Sequence, residues 1–408
     1  MSHEIKRIAL CIGSLQRGGA ERVMVNLAER FATEGVAVTL ISTFRVQDEY
    51  PLPQGVTRVI SGLTPEEEAF SGGPALAART IGRPVNTLRR IRKLRRLIRE
   101  AAPELVLSFI GKTNVMSLLA AGPLHIPVAV SVRADPSMEY PTRFSGWLAN
   151  LLFPKAAAVI LQTEEAKEAF SPAVRKRVVI LPNALRPAFL ARKVCAESER
   201  VPLIVSVGRL DANKNHALLL RAFAAAGSRC TDQETSPLRN YRILICGEGE
   251  ERAKLEALAR ELGIADRVEL PGNVPDVAER IGRARIFVLC SYQEGMPNAL
   301  LEAMSLGLAC ISTDCPCGGP RTLIRERENG LLIPMPPEES RIHMPQPRME
   351  EVLAGALFEL AADDGLRRRL SEEALSVRDT YAPDAVFAAW KKVLTDAVHT
   401  GGGNTGYG

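Results

Sequence analysis

The sequence lacks the features that mark several classes of protein. No apolar run reaches the length of a bilayer span, so an integral membrane protein is not expected. The first residues, MSHEIKRIALCIG, contain neither a long apolar segment nor a small-residue cleavage site, so no secretory signal is predicted. A cytoplasmic location is the resulting expectation.

Metal-binding patterns are also missing. The eight cysteines are scattered, and the only close pair, Cys315 and Cys317, has the wrong spacing for a zinc knuckle and no second pair to complete four ligands. No D-x-D sequence is present that would hold a metal ion against a diphosphate. We therefore expect reduced thiols and no metal requirement.

What the chain does contain is a repeated α/β pattern. Its 408 residues are too many for one ordinary core and suggest two domains, while 24% charged and 46% hydrophobic residues are typical of a globular protein. Apolar, β-branched runs alternate with helical patterns, which predicts two Rossmann-like domains with parallel sheets. The predicted strands are Ile8–Ile12, Val36–Ser42, Leu105–Ile110, Val128–Val132, Ala158–Gln162 and Val178–Leu181, then Leu203–Val207, Ile243–Cys246, Val268–Leu270, Ile286–Cys290, Ala309–Ser312 and Leu331–Ile333.

The domain boundaries follow from this pattern. A first domain is expected over 1–190 and a second over 200–380, because a polar stretch separates the two sets of strands. A helix over 381–399 is expected to pack back toward the first domain, and residues 400–408, GGGNTGYG with the preceding Thr, are expected to be disordered. The ligand should lie in a cleft between the sheets, at the carboxyl ends of the strands.

One stretch in the middle of the second domain, SYQEGMPNALLEAM, carries the strongest chemical signal. Glu294 and Glu302 lie eight positions apart, and the Pro and Asn between them can open a helix. The amino end of such a helix binds anions such as phosphate, whereas the carboxylates would accept hydrogen bonds from hydroxyl groups. A phosphate flanked by hydroxyl-bearing rings describes a nucleotide sugar.

Other strand ends add charged or glycine-rich loops. Arg209 and Lys214 follow the first strand of the second domain and suit a diphosphate neutralised by side chains alone, although each could be a surface charge. Gly272 and Asn273 follow its third strand and could contact a nucleobase. Gly18 and Gly19 precede the first helix, where a plain tight turn is an equally good interpretation. This loop is not the G-x-G-x-x-G of a dinucleotide site.

Two further features belong to the first domain. The helix Arg89–Arg99 has one apolar face and is otherwise strongly basic. An ordinary helix would pack its apolar face on the sheet and leave its charges in solvent, whereas we expect the apolar face to pack inward and the charges to face an anionic bilayer or a lipid phosphate. Nucleic acid is not favoured, because no base-stacking aromatic residues are interleaved with these arginines. Arg133 and Asp135 follow the fourth predicted strand, where they could hold an acceptor or pair with each other.

With these residues in place, the sequence resembles the retaining glycosyltransferases of family four, which have the GT-B fold. The most specific element is the pair of glutamates separated by seven residues, Glu294 and Glu302. SVRADP and STDCPCGGPR look most like members that add hexoses or N-acetylhexosamines to polyprenyl-diphosphate-linked saccharides. The matching elements run along almost the whole chain: GGAERV, LPNAL, SVGRL…KN, GEGEER, LPGNVPD, CSYQEGMPNALLEAMSLGLACISTD and NGLLIP.

The resemblance implies a metal-independent transfer from a nucleotide sugar, with UDP favoured. Glu302 would bind the ribose hydroxyls and Glu294 the transferring sugar, while Arg209 and Lys214 would stabilise the leaving diphosphate. The expected catalytic residues are therefore Arg209, Lys214 and Glu294. The remaining donor contacts would come from the Gly18–Gly19 loop and from the backbone of Gly295, Met296, Pro297, Asn298 and Ala299.

The residues expected to contact the acceptor match the family pattern less well than those expected to contact the donor. Many members place a histidine after the fourth strand, where this sequence has Arg133. The candidate acceptor contacts are Glu21, Arg22, Arg133 and Asp135. The resemblance implies a polyprenyl-diphosphate-linked saccharide as acceptor. Together with the basic helix Arg89–Arg99, this predicts a peripheral protein on the inner face of the cell membrane.

Four alternatives remain at this level. A sugar-nucleotide epimerase shares the architecture but would release free UDP without an acceptor, and a transferase could also use a soluble acceptor. An NAD-dependent dehydrogenase shares the sheets but would need a clear glycine fingerprint. A membrane-surface scaffold would keep the basic helix yet has no use for Glu294, Glu302, Arg209 and Lys214 together.

Overall fold

The computed structural model describes residues 4–64, 83–229, 235–337, 339, 342–344 and 346–402. The chain forms two compact units: unit 1 comprises Met1–Pro182 and Val386–Gly408, and unit 2 comprises Asn183–Ala385. Residues 403–408 of the predicted disordered tail lie outside the described residues, whereas the last helix continues to Gly402. In the described part of the chain, no helix is long and apolar enough to cross a membrane.

Unit 1 is built on a parallel sheet, which has seven strands in the described residues and the order β3-β2-β1-β4-β5-β6-β7. Its middle strands are buried because helices cover both faces, which explains their continuous apolar sequence. The pairing places Ile8 beside Val38 and Leu105. The strands are β1 Arg7–Ile12, β2 Ala37–Ser42, β3 Val56–Ile60, β4 Leu105–Phe109, β5 Val128–Ser131, β6 Ala158–Leu161 and β7 Val178–Ile180.

Unit 2 repeats the arrangement with a parallel sheet of six strands in the described residues, ordered β10-β9-β8-β11-β12-β13. Parallel pairing puts the loops that follow β8 and β11 at the same edge, because Phe287 of β11 lies beside Val205 of β8. The strands are β8 Val201–Val207, β9 Arg242–Cys246, β10 Val268–Gly272, β11 Ala284–Leu289, β12 Ala309–Thr313 and β13 Leu331–Ile333.

Helices cover these sheets. In unit 1 they are α1 Gly19–Thr33, α2 Arg83–Ala101, α3 Gly111–Ala121, α4 Pro136–Glu139, α5 Arg143–Leu152 and α6 Pro172–Arg175. In unit 2 they are α7 Pro187–Leu190, α8 His216–Gly227, α9 Arg252–Glu261, α10 Val277–Ile281, α11 Asn298–Ser305, α12 Gly319–Leu323, α13 Pro347–Ala362, α14 Asp364–Ala374 and α15 Val377–Thr380. Helix α16, Pro383–Gly402, leads from unit 2 into unit 1.

The two faces of the unit 2 sheet carry separate cores. On one face Phe223 of α8 and Leu357 of α13 pack with Ile286 of β11, and all three are fully buried. On the other face Met304 of α11 packs with Phe287. Burial of apolar surface stabilises a fold by roughly 25 cal/mol per Å². The two cores therefore hold in place the strand ends from which the site loops begin.

The predicted strands are confirmed with shifts of one or two residues at their ends, and the α/β class with two parallel sheets is confirmed. Strand β3 was not predicted. Its sequence VTRVI places Arg58 at the centre of an edge strand, where the side chain pairs with Glu49, so no continuous apolar run marks it.

Candidate functional site

Two loops of unit 2 lie side by side and carry the residues predicted to bind a donor. The first follows β8 and the second follows β11. Asn213 joins them through three hydrogen bonds: its carbonyl oxygen accepts from Tyr292 N–H (2.9 Å), and its amide group both accepts from Gln293 N–H (3.1 Å) and donates to the Gln293 carbonyl (3.0 Å). Asn213 was missed at the sequence level, because its partners are about eighty residues away.

Lys214 and Glu294 meet where these loops touch. The Lys214 ammonium forms an ion pair with Glu294 Oε1, and Ser291 Oγ donates to the same oxygen at 2.6 Å. The Lys214 N–H is held by Asp211 Oδ1 at 3.0 Å. The sequence predicted both charged residues for one ligand, and the structure brings them into direct contact.

Arg209 lies in the same loop with its guanidinium in solvent. Its side chain is 79% exposed, and Nη2 lies 2.9 Å from Asp211 Oδ2. An exposed ion pair of this kind is worth about 1 kcal/mol or less, so an arriving phosphate can replace the carboxylate at little cost.

A buried histidine supports this loop from behind. His216 Nε2–H donates to the Arg209 carbonyl (3.3 Å), which leaves Nδ1 to accept from Ser206 Oγ (3.3 Å). Burial, and secondarily the charge of Lys214, lowers the pKa of His216 to about 4. The ring is therefore neutral near pH 7 and fixes the backbone from which Arg209 projects.

Helix α11 opens next to the ion pair, as the sequence predicted. The first hydrogen bond of its ladder runs from Leu301 N–H to the Pro297 carbonyl at 3.1 Å, so the N–H groups of Asn298 and Ala299 precede the ladder. Both residues are half-buried, whereas Gly295, Met296 and Pro297 are buried. The positive end of the helix dipole lies beside the loop that carries Glu294.

Close packing holds this helix start in place. A Cβ on Gly319 would overlap the Gly295 carbonyl oxygen, so α12 can approach the loop only with glycine at that position. Asn183 is buried and donates from its side chain to the Met296 carbonyl at 3.3 Å. Thr313 Oγ1 donates to the Ser291 carbonyl at 2.6 Å.

Glu302 lies in the second turn of α11 and is paired with an arginine that sequence reasoning missed. Arg186 Nε and Nη2 donate to the two carboxylate oxygens of Glu302 at 2.6 and 2.8 Å. The Glu302 side chain is 7% exposed and that of Arg186 31%. The guanidinium also lies over the ring of Phe189, 4.4 Å from its centroid.

Gly272 and Asn273 lie at the end of β10. Gly272 has a φ of +82°, and its carbonyl accepts from Gly247 N–H at 2.9 Å. Asn273 is exposed. Gly247 in turn has a φ of +151°, and a Cβ there would overlap the Gly208 carbonyl oxygen. The loops after β8, β9 and β10 are thus packed together.

The predicted residues Gly18, Gly19, Glu21 and Arg22 open helix α1 in unit 1. Gly18 is extended (φ −133°) and precedes the first helical residue, Gly19. Its carbonyl accepts from Arg22 N–H at 3.1 Å, and a Cβ on Gly18 would collide with the Glu21 carboxylate. The glycine thus lets the Glu21 side chain fold over the loop.

Arg133 and Asp135 have separate roles in the described structure. Arg133 is buried, with its guanidinium 5.2 Å from the Phe109 ring centroid and 5.6 Å from that of Trp390 in α16. Asp135 caps α4, since its Oδ1 accepts from Ser137 N–H at 2.8 Å.

A third residue of this segment, Glu139, was missed. Its carboxylate accepts from the N–H groups of Gly111 (2.9 Å), Arg133 (2.6 Å) and Ala134 (3.0 Å). Burial raises the pKa of Glu139 to about 7, although these hydrogen bonds oppose the rise. Glu139 therefore ties the amino end of α3 to the loop after β5.

Comparison with known proteins finds matches to two glycosyltransferase models along most of the chain. Residues 190–375 match the family model described as glycosyl transferases group 1, and residues 18–184 match the model described as a glycosyl transferase 4-like domain. The crystal structure of Anabaena HepE in complex with UDP is similar in fold, with a TM-score of 0.71 at 17% identity over 96% of this chain and 99% of that chain.

Curated relatives extend over most of the chain. One, from Campylobacter jejuni, is named GalNAc-alpha-(1->4)-GalNAc-alpha-(1->3)-diNAcBac-PP-undecaprenol alpha-1,4-N-acetyl-D-galactosaminyltransferase; it is 27% identical and covers 80% of this chain and 84% of its own length. Another, the lipopolysaccharide core biosynthesis glycosyltransferase LpsE of Rhizobium meliloti, is 25% identical over 87% of this chain and 89% of its own length.

The two parallel-sheet units and their similarity to solved structures define a protein of the GT-B fold. The chain is a glycosyltransferase that combines a group 1 domain with a 4-like domain. The resemblance seen in the sequence is thus confirmed at the level of fold and enzyme class.

Proposed function

We propose that the protein is a metal-independent, retaining glycosyltransferase that moves a hexose or N-acetylhexosamine from a nucleotide sugar to a polyprenyl-diphosphate-linked saccharide. The observation that carries this proposal is the cluster in unit 2, where Lys214 pairs with Glu294 beside the amino end of α11 and Arg209 projects from the same loop. UDP is the favoured nucleotide, in line with the family resemblance and with the UDP bound to HepE.

The cluster has the charges that such a reaction requires. Breaking a sugar–phosphate bond builds negative charge on the diphosphate, and preorganised cations and N–H groups stabilise that charge. Lys214 supplies a point charge, Arg209 a planar fork, and the first turn of α11 the N–H groups of Asn298 and Ala299. The acceptor hydroxyl then enters on the face from which the phosphate leaves, which is the retaining course.

The two glutamates position the donor in this proposal and transfer no proton. Glu294, already held by Lys214 and Ser291, would accept hydrogen bonds from the transferring sugar. Glu302 would accept from the ribose hydroxyls. Gly272 and Asn273 are proposed to contact the base, and Gly18 and Gly19 to contact the donor from unit 1.

The acceptor class rests on the relatives and on the resemblance. The name of the Campylobacter jejuni relative describes a saccharide that is linked to PP-undecaprenol. Glu21, Arg22, Arg133 and Asp135 remain predictions for acceptor contacts. Of these, Glu21 lies over the loop of Gly18, which favours it for a first substitution.

Substitution of the two cations tests the catalytic proposal. Arg209→Ala and Lys214→Ala should each lower kcat by about 10²- to 10³-fold, since each removes a charge that stabilises the leaving group. Lys254→Ala is the control, because this lysine of α9 is exposed and its ion pair is with Glu251, the residue that precedes the helix. Transfer near the normal rate by the double variant would contradict the assignment.

A thermal screen identifies the donor. A nucleotide sugar that binds only the native protein stabilises it by RT ln(1 + [L]/Kd), so the melting temperature rises with the logarithm of its concentration above Kd. We expect the largest rise with a UDP-sugar, and a further rise when a lipid-linked acceptor is added. Release of free UDP from the donor alone at the full rate, without acceptor, would favour an epimerase instead.

Unit 1 carries a surface that suits the membrane on which such an acceptor resides. Helices α2, α3 and α5 each connect strands in the same direction along the sheet, so right-handed crossovers place them on one face. Arg95 of α2 donates to the carbonyls of Leu119 (3.0 Å) and Ala120 (3.2 Å) at the end of α3. Among the described side chains of α2, the exposed arginines are Arg89, Arg92, Arg96 and Arg99, and Arg96 lies 3.7 Å from the exposed Glu100.

An apolar strip lies on the same layer of helices. Phe144, Trp147 and Leu151 of α5 recur at helical spacing and are 68%, 56% and 51% exposed, with the two rings stacked. Exposed aromatic residues beside arginines are typical of helices that insert into a bilayer interface. We therefore propose peripheral binding to the inner face of the cell membrane.

Vesicle binding tests the membrane proposal. Changing Arg89, Arg92, Arg96 and Arg99 to Gln should weaken binding to anionic vesicles by roughly two to three orders of magnitude, at about 1 kcal/mol per charge. Vesicles of phosphatidylcholine alone are the first control, and a variant that changes the exposed Lys254 and Arg325 of unit 2 is the second. Equal binding of all variants to anionic vesicles would contradict the proposal.

A further inference from the structure

Arg186 projects from a segment of unit 2 that is fixed on both sides. Leu185 is buried, and its N–H donates to the Tyr381 carbonyl at 2.9 Å. Pro187 opens the short helix α7, and Phe189 on that helix is fully buried. Because the backbone is held before and after Arg186, its side chain starts from a defined position.

The contact with Glu302 is a planar fork. Two parallel hydrogen bonds of 2.6 and 2.8 Å join Nε and Nη2 to the two carboxylate oxygens, and the Phe189 ring supports the guanidinium at 4.4 Å. Two such bonds fix the plane of the carboxylate as well as its place, which a lysine cannot do. The side chain of Glu302 thus has one orientation on α11.

The pairing of Arg186 with Glu302 also compensates a buried negative charge near the proposed phosphate site. Glu302 is a nearly buried carboxylate one turn from N–H groups that are proposed to receive phosphate. An unpaired charge there would repel the ligand and would be costly to bury. The Arg186 fork compensates that charge, yet it uses only two of the roughly four lone-pair positions that a carboxylate offers. A carboxylate can accept hydrogen bonds from hydroxyl groups alongside such a fork.

We propose that Arg186 is a positioning residue for the donor: it holds Glu302 in the orientation that accepts two neighbouring ribose hydroxyls. The inference rests on the proposed function, since it requires that Glu302 bind ribose. It makes Arg186 responsible for the preference of the site for a ribonucleotide over a deoxyribonucleotide. A mere structural link between α7 and α11 would have no such effect.

The experiment measures ribose discrimination by calorimetry. UDP and 2′,3′-dideoxy-UDP are titrated into the full-length protein and into Arg186→Ala, Arg186→Lys and Glu302→Gln. We expect the unaltered protein to prefer UDP by about tenfold or more, which is the loss typical of removing hydrogen bonds to a charged group. Arg186→Ala should lose most of that preference by weakening UDP binding alone, and Arg186→Lys should recover little of it.

Kinetics and controls complete the test. Arg186→Ala should raise KM for the donor about tenfold and leave kcat within a few-fold, because the leaving-group cations are untouched. Arg192→Ala is the matched control, since Arg192 lies on the same segment and pairs with Glu279 and Asp276 on the surface. Should Arg186→Ala fold poorly with Glu302 left unpaired, Arg186→Lys takes its place, because it keeps a cation beside Glu302 but cannot form the planar fork.

The outcomes separate this inference from the proposed function. If Glu302→Gln keeps the full preference for UDP, then the ribose role of Glu302 fails, and the inference fails with it. If Glu302→Gln abolishes the preference while Arg186→Ala keeps it, only the inference is overturned. If Arg186→Ala weakens the binding of UDP and of 2′,3′-dideoxy-UDP equally, the inference is also overturned, because the guanidinium would then act on the diphosphate or on the fold.

Discussion

His216 shows how one neutral side chain makes the donor loop sensitive to pH. Its ring is wedged between Ser206 and the Arg209 carbonyl, and burial lowers its pKa to about 4. Between pH 4 and the ordinary pKa near 6.5, the unfolded chain therefore binds more protons than the folded protein. The free energy of unfolding should fall as pH is lowered through this window, by about 3 kcal/mol in total.

Urea unfolding at pH 7 and at pH 4.5 checks this expectation. His216→Asn should be less stable at pH 7 but should show a shallower loss on acidification, because the titrating group is gone. An unchanged pH dependence in the variant would contradict the assignment to His216. The control is His125→Asn, a substitution at an exposed position in unit 1.

At the residue scale, the sequence indicated the site but not its contacts. Glu294, Lys214 and Arg209 follow strands or open a helix, and residue type with position was enough to predict that they serve one site. Their partners could not be predicted, because Asn213 and Gln293 are 80 residues apart and Arg186 and Glu302 are 116. Such pairs depend on the loop paths, which local sequence does not determine.

At the scale of elements, glycines set the distance between the loops that build the site. Gly319 opens α12 against the Gly295 carbonyl, and a methyl group there would overlap that oxygen. Gly319→Ala should shift the start of α11, destabilise unit 2 by about 1–3 kcal/mol and weaken donor binding.

The matched control for this element is Gly355→Ala in the middle of α13, where the added Cβ meets Arg229 at an ordinary 3.5 Å. That change should be neutral or stabilising by up to about 1 kcal/mol, since alanine favours helix. Thermal unfolding and UDP titration of both variants make the comparison. Loss of UDP affinity in Gly355→Ala alone would contradict the packing argument.

The elements themselves were largely predictable. Continuous apolar runs predicted the buried strands, because a strand covered on both faces has no polar side to interrupt it. Strand β3 lacked this signal because Arg58 lies at its centre and reaches Glu49, an ion pair that also lowers the pKa of Glu49 to about 2. The start of α11 at Asn298, directly after Pro297, was predicted from the tendency of Pro and Asn to open helices and is confirmed.

At the scale of the whole molecule, unit 1 depends on a helix from the far end of the chain. Trp390 of α16 is buried, with its ring 5.8 Å from Phe109 and 5.6 Å from the Arg133 guanidinium, and Phe387 packs edge-on against Phe31 at 5.1 Å. Trp390→Ala should destabilise unit 1 by about 3–5 kcal/mol, the usual cost of removing a large buried ring.

Unit-specific probes test this prediction. Of the two tryptophans in the chain, Trp147 remains in unit 1 of the variant and reports its unfolding by fluorescence. UDP affinity, a property of unit 2 in our proposal, should be unchanged under native conditions. Lys391→Ala, which removes only the partly exposed pairs with Glu34 and Glu4, is the control and should cost less than about 1 kcal/mol.

The two-segment construction of unit 1 has a consequence for protein synthesis. The ribosome delivers residues 1–182 first, but Phe387 and Trp390 emerge only after the whole of unit 2 has been made. Unit 2 is one uninterrupted segment and can complete its core before unit 1 does, although it comes second along the chain. Until α16 has been synthesised, the surface around Phe31 and Phe109 in the nascent first segment therefore stays uncovered. A chaperone would bind the segment during this period.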